Sequence, residues 1–382
     1  MTIEDELRWR LEARRAAGLL RELRPLHGAG PRVRQAGRDL LNFCSNDYLG
    51  FASDPRLLDA LRSAAGVGAP ASRLITGHLE EHEATERLLA SLVRLPEALL
   101  FTSGFAANLG TIPALVGPDD VVFSDALNHA SLIDGCRLSR ARVEVYPHGD
   151  LEALEQALRA RRGAGNALIV SDAVFSMDGD VADVAALRGL ADIHDAWLMV
   201  DEAHGLGVFG PQGAGVCAAA GVQPDVLVGT LGKSFGASGA FVAGAPALRA
   251  WLINRARSFV FSTAYPAALL PVLRAAASLV EAADDRRRRV LEHAERIRRE
   301  ARGLGYEVPE GESPIIPVLV GSNERAIELG RALEERGVLV VGIRPPTVPR
   351  GTARLRITPM ATHTDTDVDH LLEALAAIRS PA

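Results

Sequence analysis

Short apolar runs alternate with helical stretches from residue 66 onward, and this alternation constrains the fold most strongly. Helical periodicity is clear in Asp150–Arg162 and Asp183–His194. Continuous apolar strands separated by helices are typical of an α/β fold, with a mostly parallel sheet covered by helices on both faces. The runs predict a seven-stranded central sheet: Ala98–Thr102, Val121–Ser124, Val143–Tyr146, Leu168–Ser171, Leu198–Asp201, Val226–Gly229 and Ala240–Ala243.

The two ends of the chain have different patterns. Leucines at helical spacing predict a helix over residues 4–24 that ends at Pro25 and packs on the body of the protein or on a partner subunit. After residue 280, a charged helix (282–303) precedes two predicted helices and three strands: Ile315–Val320, Asn323–Arg336, Val338–Ile343, Ala353–Thr358 and a helix from Thr364. We therefore expect an N-terminal helical arm (1–45), a large α/β domain (46–281) and a small C-terminal α+β domain (282–382).

Charge and cysteine content narrow the class of protein. A net charge of −6 argues against nucleic acid as the main partner. The sequence contains no apolar stretch of about 18 residues that could span a membrane, and its first residues lack the pattern of a secretory signal. The three cysteines, Cys44, Cys136 and Cys217, form no C-x-x-C pair, so neither a disulfide framework nor a metal site is expected. A cytoplasmic protein is the expectation.

Lys233 is the only lysine among the 42 basic residues, and it lies in Thr230-Leu-Gly-Lys-Ser-Phe-Gly236. Arginine can replace lysine as a surface cation, but it cannot lose its proton and act as an amine nucleophile. A single lysine between glycines therefore suggests an amine that condenses with a carbonyl group. Chance retention in an arginine-rich sequence is the alternative.

A carboxylate, Asp201, ends the predicted strand Leu198–Asp201, and a histidine lies three residues after it. Asp201 is suited to keep a pyridinium nitrogen protonated, because a nearby anion favours the charged form. A protonated ring is the electron sink of pyridoxal phosphate chemistry, and His204 could hydrogen-bond the hydroxyl oxygen of that ring. Taken alone, this Asp-x-x-His pattern fits a metal-binding pair or a capping aspartate equally well.

A candidate phosphate site follows another strand. The small residues of Thr102–Asn108 would expose backbone N–H groups at the start of a helix, where anions bind readily. The hydroxyl of Thr230 lies three residues before Lys233 and could donate to the same phosphate. A phosphate cradle, a carboxylate and an amine, each after a strand, together predict a pyridoxal phosphate site.

Two other motifs compete with this interpretation. Gly229–Ser234 is similar to a P-loop, but that motif requires a glycine at position 227, which is leucine. Nucleoside triphosphate hydrolysis is therefore not expected. His78-Leu-Glu-Glu-His82 matches the H-x-x-E-H pattern of zinc hydrolases, with both histidines on one helical face and Glu81 as base. No third ligand is evident, and zinc hydrolysis is kept as the remote alternative.

Several blocks, in this order, resemble the α-oxoamine synthase family of fold-type I pyridoxal phosphate enzymes. The resemblance runs from about residue 5 to 378 and implies a decarboxylative acyl transfer to an amino acid. The blocks are Leu41-Asn-Phe-Cys-Ser-Asn-Asp-Tyr-Leu-Gly50, Ser103-Gly-Phe-Ala-Ala-Asn108, Asn128-His-Ala-Ser131, Phe175-Ser-Met-Asp-Gly-Asp180, Val200-Asp-Glu-Ala-His-Gly205 and Thr230-Leu-Gly-Lys233.

The resemblance implies a role for each residue of the cofactor site. It implies that Lys233 carries the cofactor as a Schiff base and moves the substrate Cα proton, that Asp201 pairs with the ring nitrogen, and that His129 stacks on the ring. On its own, His129 would be interpreted as a buried core histidine. The other implied contacts are Ser176 and His204 at the ring oxygen, and Gly104, Phe105 and Thr230 at the phosphate.

The resemblance also implies a homodimer and two substrates. Ser262 and Thr263 would reach the phosphate of the neighbouring subunit. The amino acid carboxylate would be bound by Arg356 near Asn46, and the acyl substrate would contact Arg21 and Thr347.

The segment Ile343–Arg356 resembles family members that join L-alanine to a pimeloyl thioester of CoA or a carrier protein. Glycine-using members, a catalytically silent partner subunit and a transaminase are the alternatives. Gly66–Ala71 departs from the family pattern, which is rich in glycine and serine. The alanines and proline of this segment restrict its backbone.

Overall fold

The computed structural model describes residues 1–161 and 165–379. The chain divides into two compact units. The large unit contains residues 47–176 and 180–288, and the small unit contains residues 1–46, 177–179 and 289–382. These units are not the three segments predicted from the sequence, because residues 1–46 group with the C-terminal part. The three-segment division stays a prediction.

The described residues form strands and helices in the order expected of an α/β protein. The strands are β1 Arg32–Gln35, β2 Arg38–Asn42, β3 Glu97–Phe101, β4 Val121–Asp125, β5 Arg142–Tyr146, β6 Ala167–Asp172, β7 Trp197–Asp201, β8 Val226–Thr230, β9 Ala240–Gly244, β10 Ile316–Gly321, β11 Val338–Leu339, β12 Val341–Ile343 and β13 Ala353–Ile357. The α-helices are α1 Ile3–Ala16, α2 Pro55–Arg62, α3 Glu80–Leu92, α4 Gly104–Leu115, α5 Ala130–Ser139, α6 Leu151–Ala160, α7 Val184–Ile193, α8 Val216–Ala219, α9 Pro246–Arg255, α10 Arg257–Val260, α11 Leu270–Glu281, α12 Asp284–Gly303, α13 Asn323–Glu335 and α14 Asp365–Ile378.

The large unit is built on a seven-stranded sheet in the order β3-β9-β8-β7-β6-β4-β5. Strands β5, β4, β6, β7 and β8 are parallel, whereas β9 is antiparallel to both of its neighbours. All seven predicted strands are confirmed. Every residue of β6 is buried, as a strand covered on both faces requires. The parallel strands therefore present their carboxyl ends along one edge of the sheet, where ligands bind in folds of this kind.

An apolar cluster holds this sheet against helices α4 and α5. Leu99 and Val122 of the sheet and Ile112 and Leu132 of the helices are fully buried in it. Truncating one such leucine to alanine typically costs about 2–5 kcal/mol of folding stability. The packing fixes the start of each helix relative to the strand before it, and those starts carry the candidate site.

The small unit contains two three-stranded sheets. Their orders are β1-β2-β11 and β10-β13-β12. Leu355 and Ile357 of β13 pack with Ile297 of α12 and Leu371 of α14 in one buried cluster. Residues 177–179 contact this unit through the ion pair between Asp178 and Arg354.

The structure corrects the predicted N-terminal helix. Helix α1 ends at Ala16, well before Pro25, because Gly18 adopts a left-handed backbone with φ of 64°. None of the residues of α1 is buried, and Leu23 is fully exposed. The residues after the helix do contact the body of the protein, because Arg21 donates to Thr347 and Arg24 forms an ion pair with Glu334. Contact of the segment with a partner subunit stays a prediction.

The predicted strand Val338–Ile343 is a second correction. It is two short strands, and β11 pairs with β2 whereas β12 pairs with β13 in the other sheet. The predicted helix Asp150–Arg162 is confirmed as α6, although its last residue lies outside the described residues. Within the described ranges, no helix is long and apolar enough to cross a membrane.

Candidate active site

Lys233 lies in the turn that follows β8. Its Nζ is 3.3 Å from Oγ1 of Thr230, the last residue of that strand. The turn closes through a hydrogen bond from the N–H of Gly236 to the carbonyl of Lys233. Gly236 has φ of 62°, and a Cβ there would lie 2.3 Å from the nitrogen of Ala52. Only glycine fits this position without displacing the backbone, so the glycine after the lysine fixes the turn that presents the amine.

Asp201 ends the neighbouring strand β7 and is buried. Its Oδ1 accepts the N–H of Ala203 at 2.9 Å, and its Oδ2 accepts the side-chain amide of Asn108 at 2.8 Å. A buried carboxylate that two donors hold at the end of a strand can stabilise a positively charged ring nitrogen.

His129 caps helix α5 beside this carboxylate. Its Nδ1 accepts the N–H of Ser131 at 3.2 Å, which places the ring proton on Nε2. The backbone N–H of His129 donates to Oδ2 of Asp172 at 2.6 Å. Desolvation lowers the pKa of His129, Asp201 opposes that shift, and Lys233 adds to it. The histidine is therefore neutral at neutral pH, and the charges of Asp201 and Lys233 both act on it.

His204 follows Asp201 in the same turn and contacts Tyr48. The Tyr48 hydroxyl is 2.7 Å from Nδ1 of the histidine. Both side chains are buried. The sequence predicted a role for His204 but none for Tyr48, because a contact between residues so distant in the chain leaves no local pattern.

The residues of the predicted phosphate cradle lie at the start of α4, and their role in phosphate binding stays a prediction. Ser103 caps the helix by accepting the N–H of Ala106, and the next N–H groups belong to a helix start that favours anions. A Cβ on Gly104 would lie 2.7 Å from Cγ2 of Thr230, so glycine permits this close approach. Phe105 is partly exposed. The cradle and the lysine turn are thus brought together by Gly104 and Thr230.

Ser176, Ser262 and Thr263 also lie in the large unit. Ser176 lies in the turn after β6. A 3.0 Å hydrogen bond from the N–H of Phe175 to the carbonyl of Asp180 closes this turn. Ser262 Oγ donates to the carbonyl of Thr263 in the partly exposed turn that follows α10. A contact of these two residues with a neighbouring subunit stays a prediction.

The predicted substrate residues form two pairs in the small unit. Arg356, a buried residue of β13, donates to Oδ1 of Asn46 at 3.0 Å. Arg21 donates to Oγ1 of Thr347 at 2.7 Å. The structure thus brings each predicted pair together, and their roles in substrate binding stay predictions.

The zinc alternative fails on geometry. Helix α3 begins at Glu80, so His78 precedes it and shares no helical face with His82. Both nitrogens of His82 are engaged, by Leu79 N–H and the Tyr265 carbonyl. His78 contacts Arg73 and Glu83 in the same way. No group of three or more potential metal ligands occurs in the described parts of the chain.

Comparison with known proteins agrees with this geometry. The family model for aminotransferase class I and II matches residues 38–375. The 8-amino-7-oxononanoate synthase of Marinobacter nauticus is 50% identical over 97% of this chain and 95% of its own length. The 8-amino-7-oxononanoate synthase of Azoarcus is 48% identical over 99% of this chain and 98% of its own length.

Solved structures give the same relationship. Serine palmitoyltransferase of Sphingomonas wittichii superposes with a TM-score of 0.92 at 31% identity, over 98% of this chain and 96% of its own. The 8-amino-7-oxononanoate synthase of Francisella tularensis superposes with a TM-score of 0.76 at 27% identity, over 88% of this chain and 97% of its own. The predicted family, fold class and cofactor are confirmed. The chain therefore belongs to the aminotransferase class I and II family and, within it, to the α-oxoamine synthases, fold-type I enzymes that depend on pyridoxal phosphate.

Proposed function

We propose that this enzyme condenses L-alanine with a pimeloyl thioester, releasing CO2 and either CoA or a carrier protein and forming 8-amino-7-oxononanoate. The near full-length similarity to enzymes of that name supports the proposal. The observation that carries it is the grouping of Lys233, Asp201 and His129 at neighbouring strand ends of one sheet. This grouping supplies an amine, an anion and a neutral imidazole, which the reaction requires.

Pyridoxal phosphate, when bound, supplies a carbonyl that condenses with amines and a ring that withdraws electrons from the substrate Cα. Lys233 holds the cofactor and later removes the Cα proton, for which an amine beside the hydroxyl of Thr230 is suited. Asp201 holds a proton on the ring nitrogen, and Asn108 fixes the orientation of that carboxylate. The N–H groups at the start of α4 bind the phosphate together with Thr230.

His129 provides a donor for the second half of the reaction. Removal of the Cα proton makes that carbon nucleophilic, and it attacks the thioester carbonyl, from which the thiol then leaves. The bond from Cα to the carboxylate then breaks to release CO2, and Cα takes up a proton. A neutral imidazole with its proton on Nε2 can donate a hydrogen bond to the oxygen that becomes negative in this step. The lowered pKa of His129 keeps that ring neutral while leaving the donor in place.

The small unit supplies the proposed substrate contacts. Arginine binds a carboxylate through two parallel hydrogen bonds, so Arg356, oriented by Asn46, binds the carboxylate of L-alanine. Arg21 and Thr347 bind the acyl substrate. We place Ser262 and Thr263 at the phosphate of a second subunit, in a homodimer. The three cysteines are free thiols, in keeping with a cytoplasmic enzyme.

The test is an assay of thiol and CO2 release with each combination of amino acid and thioester. Alanine with pimeloyl-CoA or pimeloyl carrier protein should give both products, whereas glycine with acetyl- or succinyl-CoA should not. Lys233→Arg keeps the charge but removes the nucleophilic amine, and it should be as inactive as Lys233→Ala. Normal turnover by either variant would contradict the proposal, and preference for glycine would replace it with a glycine-using reaction.

A further inference from the structure

His148 joins two carboxylates that belong to different turns of the large unit. Its Nδ1 is 2.9 Å from Oδ1 of Asp125, and its Nε2 is 2.8 Å from Oδ2 of Asp180. A carboxylate oxygen can only accept, so each ring nitrogen must carry a proton to donate at these distances. The geometry therefore requires a charged imidazolium at this position.

The energetics agree with this protonation state. The hydrogen bonds with Asp125 and Asp180 raise the pKa of His148 to about 10, against a smaller opposing effect of burial. These two carboxylates are the charged groups that act on the ring, and the ring of Phe175 lies edge-on to it with the ring centroids 4.3 Å apart. His148 is therefore a cation over the whole physiological pH range.

The first carboxylate belongs to the turn that leads to His129. Asp125 is the last residue of β4, and its Oδ1 also accepts the N–H of Leu127 at 2.8 Å. Its Oδ2 accepts the N–H of Gly149 at 3.0 Å. His129 follows within this turn as the cap of α5. The conformation of the turn thus depends on a carboxylate that His148 holds in place.

The second carboxylate belongs to the turn that carries Ser176. Asp180 closes this turn through its own carbonyl, which accepts the N–H of Phe175. Val174 and Val181 pair as an isolated bridge at its base. His148 thus holds the residue that closes the turn, four positions after Ser176.

The cation also balances charge at the edge of the sheet. Strands β4, β6 and β7 end in the buried residues Asp125, Asp172 and Asp201. The negative charges of Asp201 and Asp125 help to raise the pKa of Asp172. Loss of the imidazolium would leave three neighbouring carboxyl groups at this edge with less compensating charge.

We propose that His148 is a positioning residue that ties the turn carrying His129 to the turn carrying Ser176, and so sets the geometry of the cofactor site without touching the reactants. The inference rests on the proposed function only for the roles given to His129 and Ser176. The tie itself is a property of the protein, and it can be measured in the holoenzyme without any substrate.

The experiment compares His148→Gln and His148→Ala with the matched control His194→Gln. His194 also faces a carboxylate, since its Nε2 is 3.8 Å from Oε1 of Glu155. This pair joins the end of α7 to α6 and is not part of the two turns that His148 connects. In each holoenzyme, cofactor retention on dialysis, visible circular dichroism of the cofactor and amide hydrogen exchange of residues 126–130 and 174–181 are measured.

Both His148 variants should lose cofactor about ten-fold faster, because they weaken or remove the two charge-assisted hydrogen bonds that hold Asp125 and Asp180. Exchange should accelerate in both turns together, the dichroism should change, and kcat should fall more than KM rises. The control should match the wild type in every measurement. Wild-type retention, dichroism and exchange in His148→Ala would overturn the inference.

Asp180→Asn serves if the His148 variants do not fold. Its amide oxygen still accepts from the imidazolium, but one negative charge is lost. The pKa of His148, followed by NMR, should fall and exchange in the turn 174–181 should accelerate, whereas an unchanged pKa and unchanged exchange would overturn the tie. Absence of turnover from alanine in the wild type would instead contradict the proposed function and leave these readouts intact.

Discussion

The side-chain amide of Asn108 donates a 2.8 Å hydrogen bond to the buried carboxylate of Asp201. Asn108 lies in α4, the helix whose start forms the phosphate cradle, whereas Asp201 ends β7. One amide therefore links the helix that carries the proposed phosphate cradle to the carboxylate that we propose pairs with the ring nitrogen. The orientation of the carboxylate is set by the cradle's own helix.

Asn108→Ala should weaken cofactor binding. The variant removes a hydrogen bond to a charged group, which is worth about 1.5–3 kcal/mol, or roughly ten- to a hundred-fold in affinity. Cofactor titration followed by visible absorbance measures this. Asn254→Ala removes an exposed amide of α9 and is the control. Equal affinity in the two variants would contradict the role of Asn108.

Gly104→Ala should displace the phosphate cradle. The added methyl would lie 2.7 Å from Cγ2 of Thr230, so the strand end or the helix start must shift and cofactor affinity should fall about ten-fold or more. Adding Thr230→Ser removes that methyl but keeps the hydroxyl, and affinity should return. If the double variant binds as weakly as Gly104→Ala, the contact is not the cause.

Asp172 is expected to tolerate asparagine. Burial, with the charge of Asp201, raises its pKa well above the ordinary value, so its neutral acid form resembles an amide that can still accept from His129 N–H. A carboxyl whose pKa is raised by folding destabilises the native state increasingly as pH rises above its ordinary pKa of about 4. The stability of Asp172→Asn relative to the wild type should therefore increase as pH rises above about 4, as measured by urea unfolding. A stability gain of Asp172→Asn that shrinks as pH rises would mean that folding lowers the pKa of Asp172, and would contradict the prediction.

His148 gives the reverse dependence. Its folded-state pKa is raised to about 10 from 6.5, so its stabilising effect is complete below the unfolded-state value and is lost as pH rises toward 10. The difference in unfolding free energy between the wild type and His148→Gln should be largest below pH 6.5 and shrink steadily above it. Unfolding at several pH values tests this, and a constant difference would mean that folding does not raise the pKa of His148.

The two arginine pairs of the small unit should separate in steady-state kinetics. Arg356→Lys loses the planar fork that binds a carboxylate and should raise KM for alanine about ten-fold or more, since a bond to a charged group is lost. Arg21→Ala should raise KM for the thioester by a similar factor. Each variant should leave the other substrate's KM near the wild-type value. If Arg356→Lys raised KM for the thioester, or Arg21→Ala raised KM for alanine, the proposed assignment of each arginine to its substrate would be wrong.

The sequence predicted the sheet well because buried parallel strands appear as uninterrupted apolar runs. Leu168–Ser171 is such a run, and the observed β6 extends it by one residue at each end. The direction of β9 could not be predicted, since Ala240–Ala243 is apolar in either orientation. Val338–Ile343 was wrong because one apolar run serves two different sheets.

The candidate site was predictable where its residues follow a strand. Lys233, Asp201 and His204 do so, and their positions signalled a ligand. Asn108 and Tyr48 gave no such signal, because each acts through one long-range contact that only folding creates. Asn108 lay inside a block that the sequence had marked for phosphate binding, and a buried amide one helical turn inside an apolar helix could have indicated it.

The single lysine has one more consequence. Every other basic side chain of the protein is a guanidinium or an imidazole, so Lys233 carries its only ε-amino group. Acetylation, glycation or carbamylation of a lysine is often harmless in other proteins because many copies are dispensable. Under the proposed function, any such modification removes the one ε-amine that turnover requires, and a single chemical event per chain would inactivate the enzyme.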